Sequence, residues 1–238
     1  MQRVYTEEKL AGNSAIISDS EIAHRLNSVL RLKKGGRFYL FDSSGSEFLA
    51  EITEISGKKV SVAFVDRIER NTRPKLVLNL YPALFKKPRF EWMLEKCTEI
   101  GVRSFNPVIS EHSIIKEFAV KSAAENRRWQ KIMVSAAEQS EHTFVPKINP
   151  IQDLSDALTL SEKNIFAAAE RLVGDEYILA NQKVFDTEIV NLFIGPEGGW
   201  SAGEFELFKK HGAKFISFGK NILRSETACV AGAAIALL

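Results

Sequence analysis

A glycine-rich loop near the C-terminal end of the chain has the composition of a ligand-binding turn. The segment GPEGGW, residues 195–200, follows a predicted strand at residues 190–194. Glycine lets the main chain approach a ligand closely, and ligands of open α/β sheets bind beyond the carboxyl ends of the strands. Ser201 and Glu204 then form a capping-box pattern that predicts the start of a helix. A tight strand-to-helix turn without a ligand has the same composition, so the loop alone leaves both interpretations open.

A second loop, FGKNILRSET at residues 218–227, follows another apolar run and leads into the alanine-rich segment 228–238. Small residues permit close packing of the main chain, so this segment predicts a helix deep in the domain or at a subunit contact. Arg224 and Glu226 are either a surface pair at the helix start or part of a pocket beside residues 195–199. A third loop, residues 167–171, is a weaker candidate.

Several common kinds of site are excluded by pattern. The chain has no G-x-x-x-x-G-K-[ST] phosphate loop and no G-x-G-x-x-G dinucleotide fingerprint. Its four histidines and two cysteines do not have metal-ligand spacing. Cys97 and Cys229 cannot form a disulfide framework and fit a reducing compartment. Because the N-terminus lacks the apolar core of a signal peptide, we expect a cytoplasmic protein.

Basic residues are clustered although the net charge is only +2. Residues 24–37 and 84–90 contain no acidic residue, and a third basic group, 127–131, surrounds Trp129. Each cluster alone is typical of a solvated surface, whereas three together suggest patches that bind a polyanion. A hydrophobic content of 45% and a charged content of 26% are those of a globular protein.

The strands and helices predicted around these loops fall into two parts of the chain with different patterns. Apolar and polar residues alternate between residues 38 and 64, after a predicted helix at 19–30, which is typical of a small β-barrel with one helix. From Pro74 onwards strands alternate with helices, predicted at 90–100 and 126–140, which favours an α/β domain with a mainly parallel sheet. We therefore predict domains at residues 1–71 and 72–238. The segment 148–163 is poorly informative.

Long motifs along the whole chain resemble the RsmE family of ribosomal RNA methyltransferases, in the SPOUT superfamily. In chain order they are HRLNSVLRLKKGGRFYLFDSSG, KPRFEWMLEKCTEIGV, RRWQKIMVSAAEQS, GPEGGWSAGEFE and FGKNILRSETA. His112 and His142 stand where the family pattern has arginine, and Lys220 with Asn221 replaces a proline and an arginine.

The resemblance implies an N-terminal PUA-like β-barrel that binds RNA and a C-terminal α/β domain with a deep trefoil knot. It further implies a homodimer that uses S-adenosyl-L-methionine, without a metal, to methylate N3 of a uridine in 16S ribosomal RNA of the small subunit. Carried over by position, the cofactor-binding residues are Ala169, Ile194, Gly195, Gly198, Gly199, Phe218, Gly219, Asn221, Ile222 and Leu223.

The reaction that the resemblance implies requires a proton acceptor and a group that orients the base. Glu226 and Glu197 are the candidate acceptors, and each carboxylate could instead only favour a helix N-terminus. Arg224 would orient the uracil or a phosphate. The expected RNA contacts are Arg25, Arg31, Lys33, Lys34, Lys86, Lys87 and Arg89. The alternatives are a SPOUT enzyme that methylates another base or a ribose 2′-hydroxyl, and a non-catalytic RNA-binding factor in ribosome assembly.

Overall fold

A computed structural model describes residues 1–69, 74–113, 123–161, 163–169 and 177–238. It separates into two compact units, Met1–Arg73 with Ala137–Val145 and Pro74–Ala136 with Pro146–Leu238. The predicted domain boundary at residues 71 and 72 lies outside the described residues. The helices in the described ranges all lack the length and apolarity needed to cross a membrane.

The first unit is a five-stranded half-barrel. Its strands are β1 (Arg3–Thr6), β2 (Ser14–Ile17), β3 (Arg37–Asp42), β4 (Glu47–Ser56) and β5 (Lys59–Arg67). The order is β1-β3-β4-β5-β2, with β1 parallel to β3 and the other pairs antiparallel. Alternate residues of β3, β4 and β5 are buried, which confirms the predicted alternation.

A short helix, α1 (Ser20–His24), covers part of this half-barrel and continues into a π-helical turn, Arg25–Val29. It begins where the side chain of Asp19 accepts two main-chain N–H groups, as an N-cap does. Ala23 and Leu26 are buried in the same core as β3, β4 and β5. The helix predicted at residues 19–30 is therefore present.

Residues 137–145, which are distant in the chain from the rest of the first unit, also belong to it. Glu138 accepts a hydrogen bond from the main-chain N–H of Tyr5 at 2.9 Å and pairs with Arg25 at 2.6 Å. Arg3 donates to the carbonyl of His142 at 3.1 Å and forms a buried ion pair with Glu47 at 3.0 Å.

The second unit is a parallel α/β domain. Its strands are β6 (Val77–Pro82), β7 (Ser104–Phe105), β8 (Val108–Ile109), β9 (Lys147–Ile148), β10 (Gln152–Asp153), β11 (Ile165–Ala168), β12 (Ile178–Leu179), β13 (Ile189–Ile194) and β14 (Lys214–Ser217). Seven of them form a parallel sheet in the order β12-β14-β11-β13-β6-β7-β9, and β8 pairs with β10. Parallel pairing confirms the α/β architecture.

In the described ranges, five helices and one 3-10 turn accompany these strands. They are α2 (Lys87–Ile100), α3 (Ala123–Gln139), α4 (Leu154–Ser161), the turn Gln182–Phe185, α5 (Ala202–Lys210) and α6 (Ser225–Leu237). Helix α2 ends as predicted, because Gly101 adopts a φ of 106° and caps its last turn. Helix α3 corresponds to the predicted helix at 126–140, and its Trp129 is buried against Phe90 of α2.

The core of the second unit lies under the candidate loops. Tyr81 of β6 and Phe193 of β13 stack with their ring centroids 4.2 Å apart. Phe208 of α5 contacts both Phe193 and Trp200 edge-on. The loop that follows β13 is therefore anchored on an aromatic cluster.

Candidate cofactor site

A cavity of about 440 Å³ lies in the second unit, where β11 and β13 end. Its volume is in the range of small-molecule sites, about 300–1,000 Å³. The wall is formed by three loops, by one residue of α5 and by the start of α6, through residues Ala168, Ala169, Ile194, Gly195, Pro196, Glu197, Gly198, Gly199, Trp200, Phe205, Ile222, Leu223, Arg224, Ser225 and Ala228.

The loop 195–200 owes its shape to its glycines. A Cβ on Gly195 would lie 3.2 Å from the Trp200 indole, which is tighter than an ordinary contact. Gly199 has a φ of 71°, a left-handed conformation that glycine adopts without strain. The indole of Trp200 donates to the carbonyl of Ala168 at 3.0 Å, so this loop is tied to the end of β11.

Helix α5 begins with the predicted capping box. The Ser201 side chain accepts from the N–H of Glu204, and the Glu204 carboxylate accepts from the N–H of Ser201 at 2.8 Å. The other oxygen of that carboxylate accepts from the N–H of Glu111 at 2.9 Å. The buried Glu204 therefore fixes both the glycine loop and the turn that carries His112, whose ring contacts the carbonyl of Gly199 at 3.1 Å.

The loop 218–224 forms the opposite part of the wall. The Ser225 hydroxyl donates to the carbonyl of Gly195 at 2.8 Å and so joins the start of α6 to the end of β13. Ile222 is 59% exposed although it lines the cavity. An exposed apolar side chain at a cavity wall offers a surface on which a flat apolar ligand could be buried.

Seven of the ten predicted cofactor residues lie in the wall, namely Ala169, Ile194, Gly195, Gly198, Gly199, Ile222 and Leu223. Phe218, Gly219 and Asn221 lie outside it. Phe218 is turned towards α6, where a Cβ on Gly232 would approach its ring to 2.9 Å. Gly219 serves the turn after β14 with a φ of 122°, and Asn221 is exposed beside Lys220.

The predicted catalytic residues are divided between the wall and its surroundings. Glu197 and Arg224 line the cavity, whereas Glu226 does not. Glu226 is instead buried at the second position of α6, where its Oε1 lies 3.5 Å from the Arg89 guanidinium. Arg89 also lies 3.3 Å from Glu197. Both candidate proton acceptors are therefore paired with one arginine that was expected to contact RNA.

The other expected RNA contacts fall into two groups. Arg25 pairs with Glu138 at 2.6 Å and Lys87 pairs with Glu125 at 3.0 Å. The remaining four are exposed and have no acidic partner among the described residues: Arg31, Lys33, Lys34 and Lys86. Arg31 has a φ of 54°.

Residue-by-residue reasoning missed part of the wall. Trp200 belongs to the GPEGGW motif and Ser225 to the second loop, but neither is among the residues predicted to bind the cofactor. Phe205 could have been found from the capping box, since it lies four residues after the N-cap Ser201 and faces the same side of α5. Ala168 and Ala228 carry no signal in the sequence, because alanine is ordinary in buried strands and helices.

The two cysteines do not take part in this site. Burial raises the pKa of the Cys97 thiol and that of Cys229 well above their ordinary value. Neither is therefore a reactive thiolate at neutral pH. Within the part of the chain that the structure describes, His, Cys, Asp and Glu form no group of three that could hold a metal ion.

Comparisons with known proteins agree with this architecture. Residues 72–237 match the model of an RNA methyltransferase domain, and residues 19–65 match that of an RNA methyltransferase PUA domain. The two matches place this half-barrel and α/β domain, joined in one chain, in an RNA-methylating class of protein. The chain belongs to the RNA methyltransferase family, among the small-subunit ribosomal RNA enzymes of the RsmE type.

Relatives cover nearly the whole chain. Ribosomal RNA small subunit methyltransferase E 2 of Borreliella burgdorferi is 30% identical over 96% of this chain and 93% of its own. The methyltransferase E of Rickettsia conorii is 29% identical over 96% and 91%. Among solved structures, the methyltransferase E of Neisseria gonorrhoeae bound to S-adenosyl methionine is 29% identical, with a TM-score of 0.83 and coverage of 98% of this chain and 95% of that one.

Proposed function

We propose that this chain transfers a methyl group from S-adenosyl-L-methionine to N3 of a uridine in 16S ribosomal RNA. The observation that carries the proposal is the cavity at the ends of β11 and β13, whose wall combines the glycines of one loop with apolar side chains and two charged ones. The matched family and the cofactor-bound relative from Neisseria gonorrhoeae support the same cofactor.

The residues present fit this cofactor. Gly195 and Gly198 lie in the wall, and a Cβ would come within 3.2 Å of Trp200 at the first and 2.9 Å of His112 at the second, so the loop has this shape only with glycine there. Exposed N–H and C=O groups can read the edge of an adenine, and Ile222 with Leu223 offers apolar surface for its face. S-adenosyl-L-methionine supplies a sulfonium-activated methyl group, so the protein needs neither a metal nor a covalent nucleophile.

The side chains then have two tasks. Glu197, in the cavity wall, accepts the N3 proton of the uracil, and Arg224 orients the uracil or an adjacent phosphate through its planar guanidinium. Alignment of reacting groups can supply about 7–11 kcal/mol. A general base typically adds about 10²–10⁴-fold, so positioning is the larger contribution.

Four cations that have no acidic partner in the part of the chain that the structure describes are proposed to bind RNA phosphates: Arg31, Lys33, Lys34 and Lys86. Their exposure and the absence of acidic partners among the described residues support this assignment. Each phosphate contact with single-stranded RNA should add about −0.7 to the slope of log K against log salt. Replacing Lys33 and Lys34 with methionine should therefore make RNA affinity less dependent on salt, and an unchanged slope would remove them from the interface.

The trefoil knot and the homodimer belong to the same proposal. The small residues of α6 and the bond from Ser225 to Gly195 support a close passage of the C-terminal segment beside the glycine loop. Trp92 on α2 is 43% exposed and Leu238 after α6 is 77% exposed. Apolar surface on two helices that pack together supports a contact with a second copy. Light scattering of the protein and of Trp92→Glu would detect a dimer and its loss.

The decisive experiment offers radiolabelled cofactor to the purified chain with naked 16S RNA and with assembled small subunits, followed by mass analysis of the nucleosides. We expect 3-methyluridine from wild type and loss of cofactor binding in Gly195→Val, with Gly203→Ala as the matched control away from the cavity. Methyl groups on another base or on ribose would identify a different SPOUT target. Failure to bind the cofactor in calorimetry would leave only the RNA-binding factor.

A further inference from the structure

Three charged side chains from three separate elements meet beside the cavity. Arg89 lies at the start of α2, Glu197 in the glycine loop after β13, and Glu226 at the start of α6. The Arg89 guanidinium reaches Oε1 of Glu197 through Nη1 at 3.3 Å and Oε1 of Glu226 through Nε at 3.5 Å. One arginine therefore bridges two carboxylates that were both candidates for the same catalytic task.

The two carboxylates differ in exposure and in position. The Glu226 side chain is 10% exposed and lies outside the cavity wall, whereas that of Glu197 is 27% exposed and lies in the wall. Oε2 of Glu226 is buried without a hydrogen-bond partner among the described residues. A buried carboxylate requires a nearby cation, and Arg89 is the cation that an ion pair joins to Glu226 in the described residues.

The two carboxylates that Arg89 bridges are not equally constrained. Glu226 is enclosed more closely by its surroundings because it is buried on a helix, while Glu197 belongs to a partly exposed loop. A guanidinium presents donors in a fixed fork, so its attachment to Glu226 determines where its remaining donors point. The position of the Glu197 carboxylate at the cavity wall therefore depends on the pairing between Arg89 and Glu226.

We propose that Arg89 is a positioning residue, which Glu226 anchors and which holds the Glu197 carboxylate at the cavity for its task as proton acceptor. The inference rests on the proposed methyl transfer. It changes two expectations: Arg89 acts on a carboxylate and not on an RNA phosphate, and Glu226 acts through Arg89 and not on the uracil.

A mutant cycle separates these roles. The methylation rate is measured in single turnover at saturating cofactor and RNA for Glu197→Gln, Arg89→Met, the double variant and Glu226→Gln. We expect Glu197→Gln to lower the rate by about 10²-fold or more, and Arg89→Met and Glu226→Gln by about tenfold or more. Because Arg89 acts through Glu197, the double variant should fall within about threefold of Glu197→Gln alone.

Two further variants test whether the effect is specific. Arg89→Lys keeps the charge but cannot span both carboxylates, so it should restore only part of the rate. Lys86→Met, at the N-cap of α2 and three residues before Arg89, is the matched phosphate control. It should weaken RNA affinity and reduce the salt slope by about 0.7. Arg89→Met should leave that slope and the cofactor affinity unchanged.

Several results would overturn the inference while the proposed function stands. They are multiplicative effects of Arg89→Met and Glu197→Gln, a full rate in Glu226→Gln, or a loss in Arg89→Met that appears only as weaker, less salt-dependent RNA binding. A wild-type protein that binds no cofactor and methylates no RNA would overturn both proposals. Glu226→Gln is nearly isosteric with the wild-type side chain. Its methylation rate therefore tests whether Glu226 anchors Arg89, even if Arg89→Met does not fold.

Discussion

Gly232 lets α6 lie directly against the sheet, and an alanine at this position measures how tightly the two are packed. A Cβ on Gly232 would come within 2.7 Å of Leu192 Cδ2 and 2.9 Å of Phe218 Cζ. Both contacts are shorter than side-chain atoms tolerate, and Leu192 is fully buried in β13. Either α6 or the two side chains must therefore move when the methyl group is added.

Two opposing contributions determine the size of the effect. Overpacking of a buried site costs about 1–3 kcal/mol, while replacement of glycine by alanine inside a helix stabilises it by about 0.8–1.0 kcal/mol. Gly203 in α5 is the matched control, since its Cβ would meet only Ser201 Oγ at 3.9 Å. Gly203→Ala, in the first turn of α5, therefore adds the methyl group without the overpacking.

Thermal unfolding of the two variants gives the test. We expect Gly232→Ala to be less stable than Gly203→Ala by about 1–3 kcal/mol, or about 2–4 °C in Tm for each kcal/mol. Because Phe218 precedes the second wall loop, Gly232→Ala should also weaken cofactor binding in calorimetry. If Gly232→Ala is as stable as Gly203→Ala and binds the cofactor equally well, the close packing of α6 on the sheet is refuted.

Three further outcomes follow from the same structure. Glu204→Gln should destabilise the protein by about 1–3 kcal/mol, because its single amide oxygen replaces two carboxylate oxygens that accept from the N–H groups of Ser201 and Glu111. The exposed Glu206→Gln on the same helix should change the Tm little. Equal shifts in the two variants would contradict the role of Glu204 in holding both N–H groups. Burial raises the pKa of the Cys97 and Cys229 thiols and so keeps both neutral in the folded state. The free energy of unfolding is therefore unaffected below about pH 8.5, and above it falls by up to about 1.4 kcal/mol per pH unit for each thiol as the unfolded chain ionises. Urea unfolding of wild type and of the double alanine variant should diverge above that pH. Arg3→Met should cost about 3–5 kcal/mol because it removes the cation that forms a buried ion pair with the Glu47 carboxylate, and a loss below about 0.5 kcal/mol in thermal unfolding would show that the pair is dispensable.

Prediction from the sequence was accurate where neighbours along the chain decide the conformation. The capping box at Ser201 and the C-cap at Gly101 depend on contacts within a few residues, and both are present. The alternation in β3, β4 and β5 also survives in the structure because a strand with one buried face repeats every two residues.

Prediction was weakest where elements are short or where partners are distant. The segment 148–163 contains a two-residue strand, β10, and the eight-residue helix α4. A strand of two residues is too short to show an alternation of apolar and polar residues. Helix α4 begins directly after β10, so no loop marks the boundary between them. Residues 137–145 were expected in the second domain, but the ion pair of Glu138 with Arg25 and the bond to Tyr5 join them to the first unit.

The two glycine loops, the helices that follow them and the alternation of strands and helices could all be predicted from the residues alone, because these features depend on the conformational freedom of glycine and on local periodicity. Which side chains meet became known from the folded structure. Arg89 and Glu197 are 108 residues apart in the chain, yet their side chains pair beside the cavity, while Phe218 turns away from the cavity towards α6. Side-chain pairing over such separations follows from the packing of whole helices on the sheet, which no local pattern encodes.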